Sequence, residues 1–351
     1  MIKYLGSKRT LVPLITAVVQ RLPGVHSAID LFAGTSRVGI GLKAVGLQVH
    51  ANDHNRYAAT LARCYIQADS ENWLKQATQL VAEFNALATP TPAEYGWFTE
   101  IYCQQARFFQ PANGARIETI RQAIAQKSLD PELEAVLLVA LMEAADRVDS
   151  TTGVQMAYLK QWAARAHNPL VLRVPALLPH AAAGKGSAHE LDALDAAAQL
   201  HGDVAYLDPP YNQHKYIGNY HVWETLVRWD QPEVYGIAQK RVDVRDRHSD
   251  FNSRKRAVEG LAAVIAKIDA RFLVVSFSDE GYISRSEMEA MLQVRGEVLV
   301  IERDFKRYVG AQIGIHSPQG VKVGSVSHLR NTEYLFVVAP ERASLSGLQD
   351  L

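Results

Sequence analysis

Cysteine is scarce in this chain: Cys64 and Cys103 are the only two, too few and too isolated for a disulfide framework or a four-ligand zinc site. No excess of charge is present either, since 37 Lys and Arg face 37 Asp and Glu. That balance argues against indiscriminate nucleic-acid binding, which needs many cations close to phosphates. Long apolar runs are missing. The longest, Ala135 to Met142, is stopped by Glu143 and is far too short to span a bilayer, so it reads as a buried helix. The opening MIKYLGSKR has no apolar stretch after its positive charges and so does not read as a signal peptide. His26, His50 and His54 lack metal-ligand spacing, and no metal is expected. These absences leave a globular protein expected in a reducing cytoplasm, without a membrane partner.

The 351 residues exceed one ordinary domain, enough for a catalytic core and a recognition region. Leu11, Ile15, Val18, Val19 and Leu22 share one face of a helix that ends at Pro23. The period then changes. Residues 26–32 form a short apolar strand, AGTSRVG a turn, and Val38 to Val45 a helix; residues 47–53 form a second strand ending in an acid, and a helix starts near Asn55. This is a βαβ unit.

Residues 70–165 read as helical throughout, broken by the Pro-rich stretch at 89–96 and by Gln110 to Gly114, with Leu133, Val136, Leu137, Ala140 and Leu141 as a core stripe. After an Ala/Gly-rich joint at 180–190, apolar strands are expected at 203–208, 271–278 and 297–305, and 333–339 closes the sheet. Strands apolar along their whole length, with helices between, indicate a mostly parallel sheet covered on both faces. The expected division is 1–69 as the first part of the catalytic domain, 70–180 as a helical insertion and candidate target-recognition region, and 181–351 as the remainder of the catalytic domain.

Two turns carry the chemistry. The first, Asp30 to Gly39, sits at the end of a first strand and the start of a helix, where doubly wound sheets bind ligands. Its glycines, Gly34 and Gly39, do not make the dinucleotide pattern, and Asp30 is a poor neighbour for pyrophosphate. An ammonium is a better one, such as the amino group of S-adenosylmethionine. Asp53, ending the second strand, suits ribose hydroxyls.

The second turn, Asp208-Pro209-Pro210-Tyr211, directly follows the strand VAYL. Its carboxylate and proline carbonyls form an acceptor-only cage for an NH2 donor, and Tyr211 offers a face to a base. An adenine N6 amino group is a weak nucleophile until acceptors localise its lone pair. A base inside a duplex must be flipped out to arrive there, at a cost of about a few kcal/mol.

Together these residues resemble the Dam-like adenine-N6 DNA methyltransferases of the alpha motif order, whose fold is a Rossmann-like, mostly parallel seven-stranded methyltransferase sheet with a helical insertion. The resemblance implies S-adenosyl-L-methionine as methyl donor, and Asp208, Pro209, Pro210 and Tyr211 as catalytic. It also implies Tyr4, Lys8, Asp30, Gly34, Asp53 and Asp192 as cofactor contacts, Lys8 toward the methionyl carboxylate. Asp195 is the alternative to Asp192 at the cofactor adenine. The turn carries Ser36 where the family usually has glycine. Segments at Asn113 to Ile117, Ala157 to Trp162, Asn219 to Thr225 and Ser276 to Gly281 are similar to a restriction-modification subgroup, which implies a cognate endonuclease as companion.

Duplex DNA is the expected partner. Two regions compete to read it: the insertion, and 212–256, where Lys215, Tyr216, Asn219 and Tyr220 precede the one basic patch, seven Lys or Arg against three Asp from Lys240 to Arg256. Arg254, Lys255 and Arg256 are expected on phosphates. Tyr220 and Trp223 stay open between core and base contact. The rival readings are a methyltransferase of RNA or a protein glutamine, a non-catalytic nucleic-acid binder, and, weakest, a nicotinamide dehydrogenase.

Overall fold

The computed structural model describes residues 1–6, 8–210, 215–247, 249–279, 281–306, 315–316, 322–324 and 330–351. Tyr211, Asn212, Ser7 and Glu280 lie outside them. The first two apolar runs form β1, Ser27–Asp30, and β2, Gln48–Asn52. A three-residue strand follows at the end of the Ala/Gly-rich joint, β3, Ser187–His189. The later runs form β4, His201–Leu207, β5, Asp269–Ser278, β6, Glu297–Lys306, and β7, Arg330–Ala339.

These strands make one seven-stranded sheet in the order β3-β2-β1-β4-β5-β7-β6. Every pairing is parallel except those of β7, which is antiparallel to both β5 and β6. Residues 333–339 therefore do not close the sheet. They slot between two parallel strands and leave β6 at the edge, because an antiparallel return needs no crossover helix.

Alternate residues of β4 face opposite cores: Val204 and Tyr206 join one hydrophobic cluster, Ala205 and Leu207 the other. Both faces of β4 are covered, which is why its buried residues, Val204 to Leu207, are apolar without alternation. The chain runs outward from β1 through β2 and β3, then returns to lay β4 on the other side of β1. The crevice beyond the carboxyl ends of β1 and β4 is thus the switch point at which open α/β sheets bind ligands.

Helices α1, Val12–Arg21, and α2, Arg37–Ala44, frame β1; α3, Arg56–Ala62, follows Asn55 and passes into a π-helical turn, Arg63–Gln67. Next come α4, Ser70–Ala86, α5, Pro111–Gln126, and α6, Pro131–Arg147. The apolar run lies in α6, which is buried on nearly every side against α3, α4 and α5 and shares its cluster with one face of the sheet. Asp130 starts this helix by accepting the Glu132 N–H at 2.8 Å, with Pro131 in the first turn.

The helical reading of 70–165 fails after Arg147. Residues 148–163 are irregular, because short polar side chains offer the backbone local alternatives. Thr151 Oγ1 donates to Asp149 and accepts the Gly153 N–H at 3.0 Å, and Gly153 takes φ +101°. The later helices are α7, Ala193–Gln199, α8, His221–Arg228, α9, Arg254–Lys267, and α10, Arg285–Leu292. Among the described residues no helix is long and apolar enough to cross a membrane.

Candidate active site

Asp30 ends β1 with its side chain buried, and its Oδ2 accepts the Gly39 N–H from the first turn of α2 at 3.0 Å. Burial pushes this carboxyl up to about 7; Asp208 and Asp53 push the same way, while the Gly39 N–H opposes them. Gly34 adopts φ +50°, and a Cβ there would stand 3.3 Å from the Tyr4 hydroxyl. Glycine thus serves both the turn and the close approach of Tyr4. Ser36 also sits in the left-handed region, at φ +59°, which is the conformation that favours glycine.

Asp53 directly follows β2 and joins the two loops. Its Oδ2 accepts the Gly34 N–H at 3.0 Å, and its Oδ1 accepts the backbone and side-chain N–H groups of Asn55 at 2.9 and 3.0 Å. Asn52 clamps the same edge, donating to the Leu31 and Leu191 carbonyls at 3.2 Å and accepting the Leu191 N–H at 3.0 Å. Asp192 caps α7 through the Leu194 N–H at 2.9 Å and faces the cleft; Asp195, one turn on, is not part of its lining. Of the two candidate acids, Asp192 is the one that lines the cleft.

Asp208, at the end of β4, opens onto the same cleft as Asp30 and Asp53, with Pro209 and Pro210 beside it. Lys8 Nζ lies 3.2 Å from Asp208 Oδ1 and 3.3 Å from Glu333 Oε2. Lys8, expected at a carboxylate of the cofactor, is thus placed between two carboxylates of the protein. Burial raises the Asp208 carboxyl to about 6; Lys8 pulls it down and Glu333 pushes it up. The cleft is open to solvent and is lined by Asp30, Asp53, Asp192 and Asp208 together with Tyr4, Phe32 and Tyr216, the mix of a few polar groups and aromatic faces typical of small-molecule sites.

Tyr4 stacks between Tyr220, at 4.6 Å and 12°, and Tyr216, at 5.3 Å and 12°. The Tyr220 hydroxyl accepts the Leu5 N–H at 2.6 Å, which pins the N-terminal segment to the cleft. The expected DNA contacts at Asn219 and Tyr220 need correction, since these residues are 4 % and 1 % exposed. Short helical turns carry them into the core beside Trp223, also 1 % exposed. Lys215 and Tyr216 stay at the cleft mouth, Lys215 donating to the Val244 and Arg245 carbonyls at 3.1 and 3.2 Å. Arg254, Lys255 and Arg256 are exposed in the first turn of α9.

Several cleft residues carry no signal in the sequence. Phe251 meets Phe32 edge-on at 5.0 Å and 83°, joining the basic segment to the turn after β1. Arg247 pairs with Glu224 at 2.7 Å and donates to the His54 carbonyl at 3.0 Å. Arg37 lines the cleft with its Nε buried and without a hydrogen-bond partner among the described residues. Glu333 lies far along the chain from every motif. The segments at Asn113 and Arg116 prove to be scaffold: both side chains bind backbone carbonyls of 85–87 or 166–170. No group of three or more His, Cys, Asp or Glu among the described residues is placed to hold a metal.

A sheet of this order, with its acids gathered at the switch point, defines a Rossmann-like methyltransferase. A family model of the D12 class N6 adenine-specific DNA methyltransferases matches residues 4–291, and the chain belongs to that family. Membership implies use of S-adenosylmethionine. The donor set fits such a group: acids for an ammonium and hydroxyls, and a buried, unpartnered Arg37 nitrogen for a carboxylate.

The chain is 30 % identical over 318 residues to the type II methyltransferase M.NlaIII of Neisseria lactamica, covering 87 % of this chain and 92 % of that protein. It is 30 % identical over 316 residues to M.FokI of Planomicrobium okeanokoites, covering 84 % of this chain and 47 % of that protein. With the modification methylase StsI of Streptococcus sanguinis the identity is 26 % over 328 residues, 87 % and 48 % of the two chains. The chain therefore spans about half the length of M.FokI and StsI and nearly all of M.NlaIII.

Proposed function

We propose that this chain methylates N6 of an adenine flipped out of duplex DNA, at a specific site, as the modification half of a restriction-modification system. One observation carries the reading: Asp208 and Pro209 share a single cleft with Asp30, Gly34 and Asp53. An amino group held by the first pair lies beside whatever the second group binds. S-adenosylmethionine, when bound, supplies an electrophilic methyl group on a sulfonium.

The chain's part is placement. Asp208 and the Pro209 carbonyl accept the two N6–H bonds and localise the nitrogen lone pair. The C–N bond forms as the C–S bond breaks, and the surplus N6 proton leaves afterwards to Asp208 or solvent. Asp30 faces the cofactor ammonium, Asp53 the ribose, Asp192 the adenine edge and Arg37 the carboxylate. Tyr211 stacks on the flipped base.

On the DNA side, Lys215 and Tyr216 border the base, and Arg254, Lys255 and Arg256 neutralise phosphates. The insertion at 70–180 is the second candidate for reading base edges, and a cognate endonuclease is the proposed companion in the cytoplasm. Methyl incorporation into duplex DNA, ribosomal RNA and protein, measured side by side, tests the substrate. Incorporation into RNA or protein but not DNA overturns it. Mapping N6-methyladenine in cells that express the chain then reads out the target site.

A further inference from the structure

One guanidinium joins the cofactor side of the cleft to the DNA side. Arg247 Nη1 lies 2.7 Å from Glu224 Oε1 in α8, and its Nη2 donates to the His54 carbonyl at 3.0 Å. Glu224 is 0 % exposed, and its Oε2 accepts the Tyr57 N–H, in the first turn of α3, at 3.0 Å. His54, Arg247, Glu224 and Tyr57 thus close a ring around the turn that leads from Asp53, the acid proposed to face the cofactor ribose, into α3. Burial pushes the Glu224 carboxyl up, but Arg247 and Arg228 outweigh it and hold the group below the usual carboxylate range, so the ring is built on a buried charge.

The backbone of Arg247 belongs to the basic segment. Its N–H donates to the Asp243 carbonyl at 3.0 Å, in the turn whose Val244 and Arg245 carbonyls are held by Lys215 at the cleft mouth. A short way on, α9 opens with Arg254, Lys255 and Arg256, and Ser249, Phe251 and Asn252 before it line the same cleft as Asp53. The Arg247 side chain is 23 % exposed, so its guanidinium can release into water while Glu224 keeps Arg228 at 2.6 Å. Opening the ring therefore strands no charge, and the ring is made or broken at modest cost.

We propose that Arg247 is a positioning residue through which cofactor and duplex raise each other's affinity. The closed ring fixes the Asp53 turn for the ribose and the basic segment for phosphates; the first ligand to bind closes it, and the second finds it closed. The proposal rests on the reading of this chain as a DNA methyltransferase. Linkage makes the effect reciprocal: S-adenosylhomocysteine should tighten duplex binding, and duplex should tighten S-adenosylhomocysteine binding, by one common factor of about 5 to 50.

Calorimetric titration of S-adenosylhomocysteine with and without a duplex carrying the mapped target site, and of the duplex with and without S-adenosylhomocysteine, measures that factor from both ends. In Arg247→Met it should fall below about twofold in both directions. Arg247→Lys, which cannot reach both partners with one planar fork, should keep an intermediate factor, and it carries the test where the Met variant does not fold. Arg256→Ala should weaken duplex binding at an undiminished factor. A merely structural role would lower both affinities and leave their ratio as it was. The native factor persisting in the Arg247 variants, or a factor near one in a native protein that methylates DNA, overturns the proposal and leaves the reading of the site standing. If the native protein methylates RNA or protein and no DNA, the reading falls and the proposal with it.

Discussion

The Asp53 carboxylate accepts the backbone N–H of Gly34 at 3.0 Å, so the acid just after one strand holds the glycine turn that follows its neighbour. Replacing Asp53 by Ala removes this bond and those to Asn55. Affinity for S-adenosylhomocysteine should fall by about 10- to 100-fold, and stability by about 1–3 kcal/mol. Calorimetric titration and urea unfolding measure the two effects. An unaltered affinity would show that this carboxylate touches nothing the ligand needs.

Asp208→Ala should reduce methyl transfer by a factor of about 100–1000, the cost of losing a well-placed group in the transition state. Cofactor binding should survive. Filter binding of labelled cofactor alongside methyl incorporation separates the two, and loss of both together would make Asp208 a folding residue.

Asp30 titrates near 7 in the folded, ligand-free protein, against about 3.9 in an unfolded chain. Between those values the native state holds a proton that the unfolded state has released. Its contribution to stability is complete below about pH 4 and is lost as pH rises through 7. Asp208 acts in the same sense through about 6. A cation bound beside Asp30 favours the charged form, so cofactor affinity should climb from pH 6 to 8 with release of protons. Calorimetry in two buffers of different ionisation enthalpy detects this; a flat profile would remove Asp30 from the ammonium site.

Ser36 occupies φ +59° with a buried hydroxyl that has no hydrogen-bond partner among the described residues. A left-handed conformation costs an L-residue about 1–2 kcal/mol, and glycine loses about 0.5–1 kcal/mol through its freer unfolded chain. Ser36→Gly should therefore stabilise the protein by roughly 0.5–1 kcal/mol. A higher urea midpoint is the expected result, and a lower one would mean the hydroxyl has a structural partner.

Arg254, Lys255 and Arg256 place three cations at the positive end of α9, where each is unfavourable by about 0.3–1 kcal/mol. The exposed pair of Arg256 with Asp250 at 2.9 Å offsets little of this. Replacing all three by Ala should raise the melting temperature while weakening duplex binding and flattening its salt dependence by about 2–3 in slope. Binding that stays equally steep in salt would locate the phosphate contacts elsewhere.

Much of the frame is legible in local order. β1, β2, β4 and β5 stand within a few residues of the apolar runs, because central strands covered on both faces bury successive apolar residues, as Val204 to Leu207 and Phe272 to Val275 do. β3 is less legible: three residues of mixed polarity, half-buried at the sheet edge, have no periodicity to detect. Tyr220 shows the opposite failure. An aromatic beside donors after the active site suggests a base contact, yet its ring packs on Tyr4 and its hydroxyl binds Leu5, contacts more than 200 positions away in the chain.

The linear order of residues was sufficient for the class of fold and for the family, since the apolar strands and the two turns at Asp30 and Asp208 are contiguous runs whose character depends on neighbours in the chain. Placing Asp192 but not Asp195 on the cleft, burying Asn219 and Tyr220, burying the Arg37 Nε beside the cleft and bringing Glu333 to Lys8 all required the folded protein. Those outcomes depend on which strands lie side by side and which side chains lose water, and packing sets both between residues hundreds of positions apart.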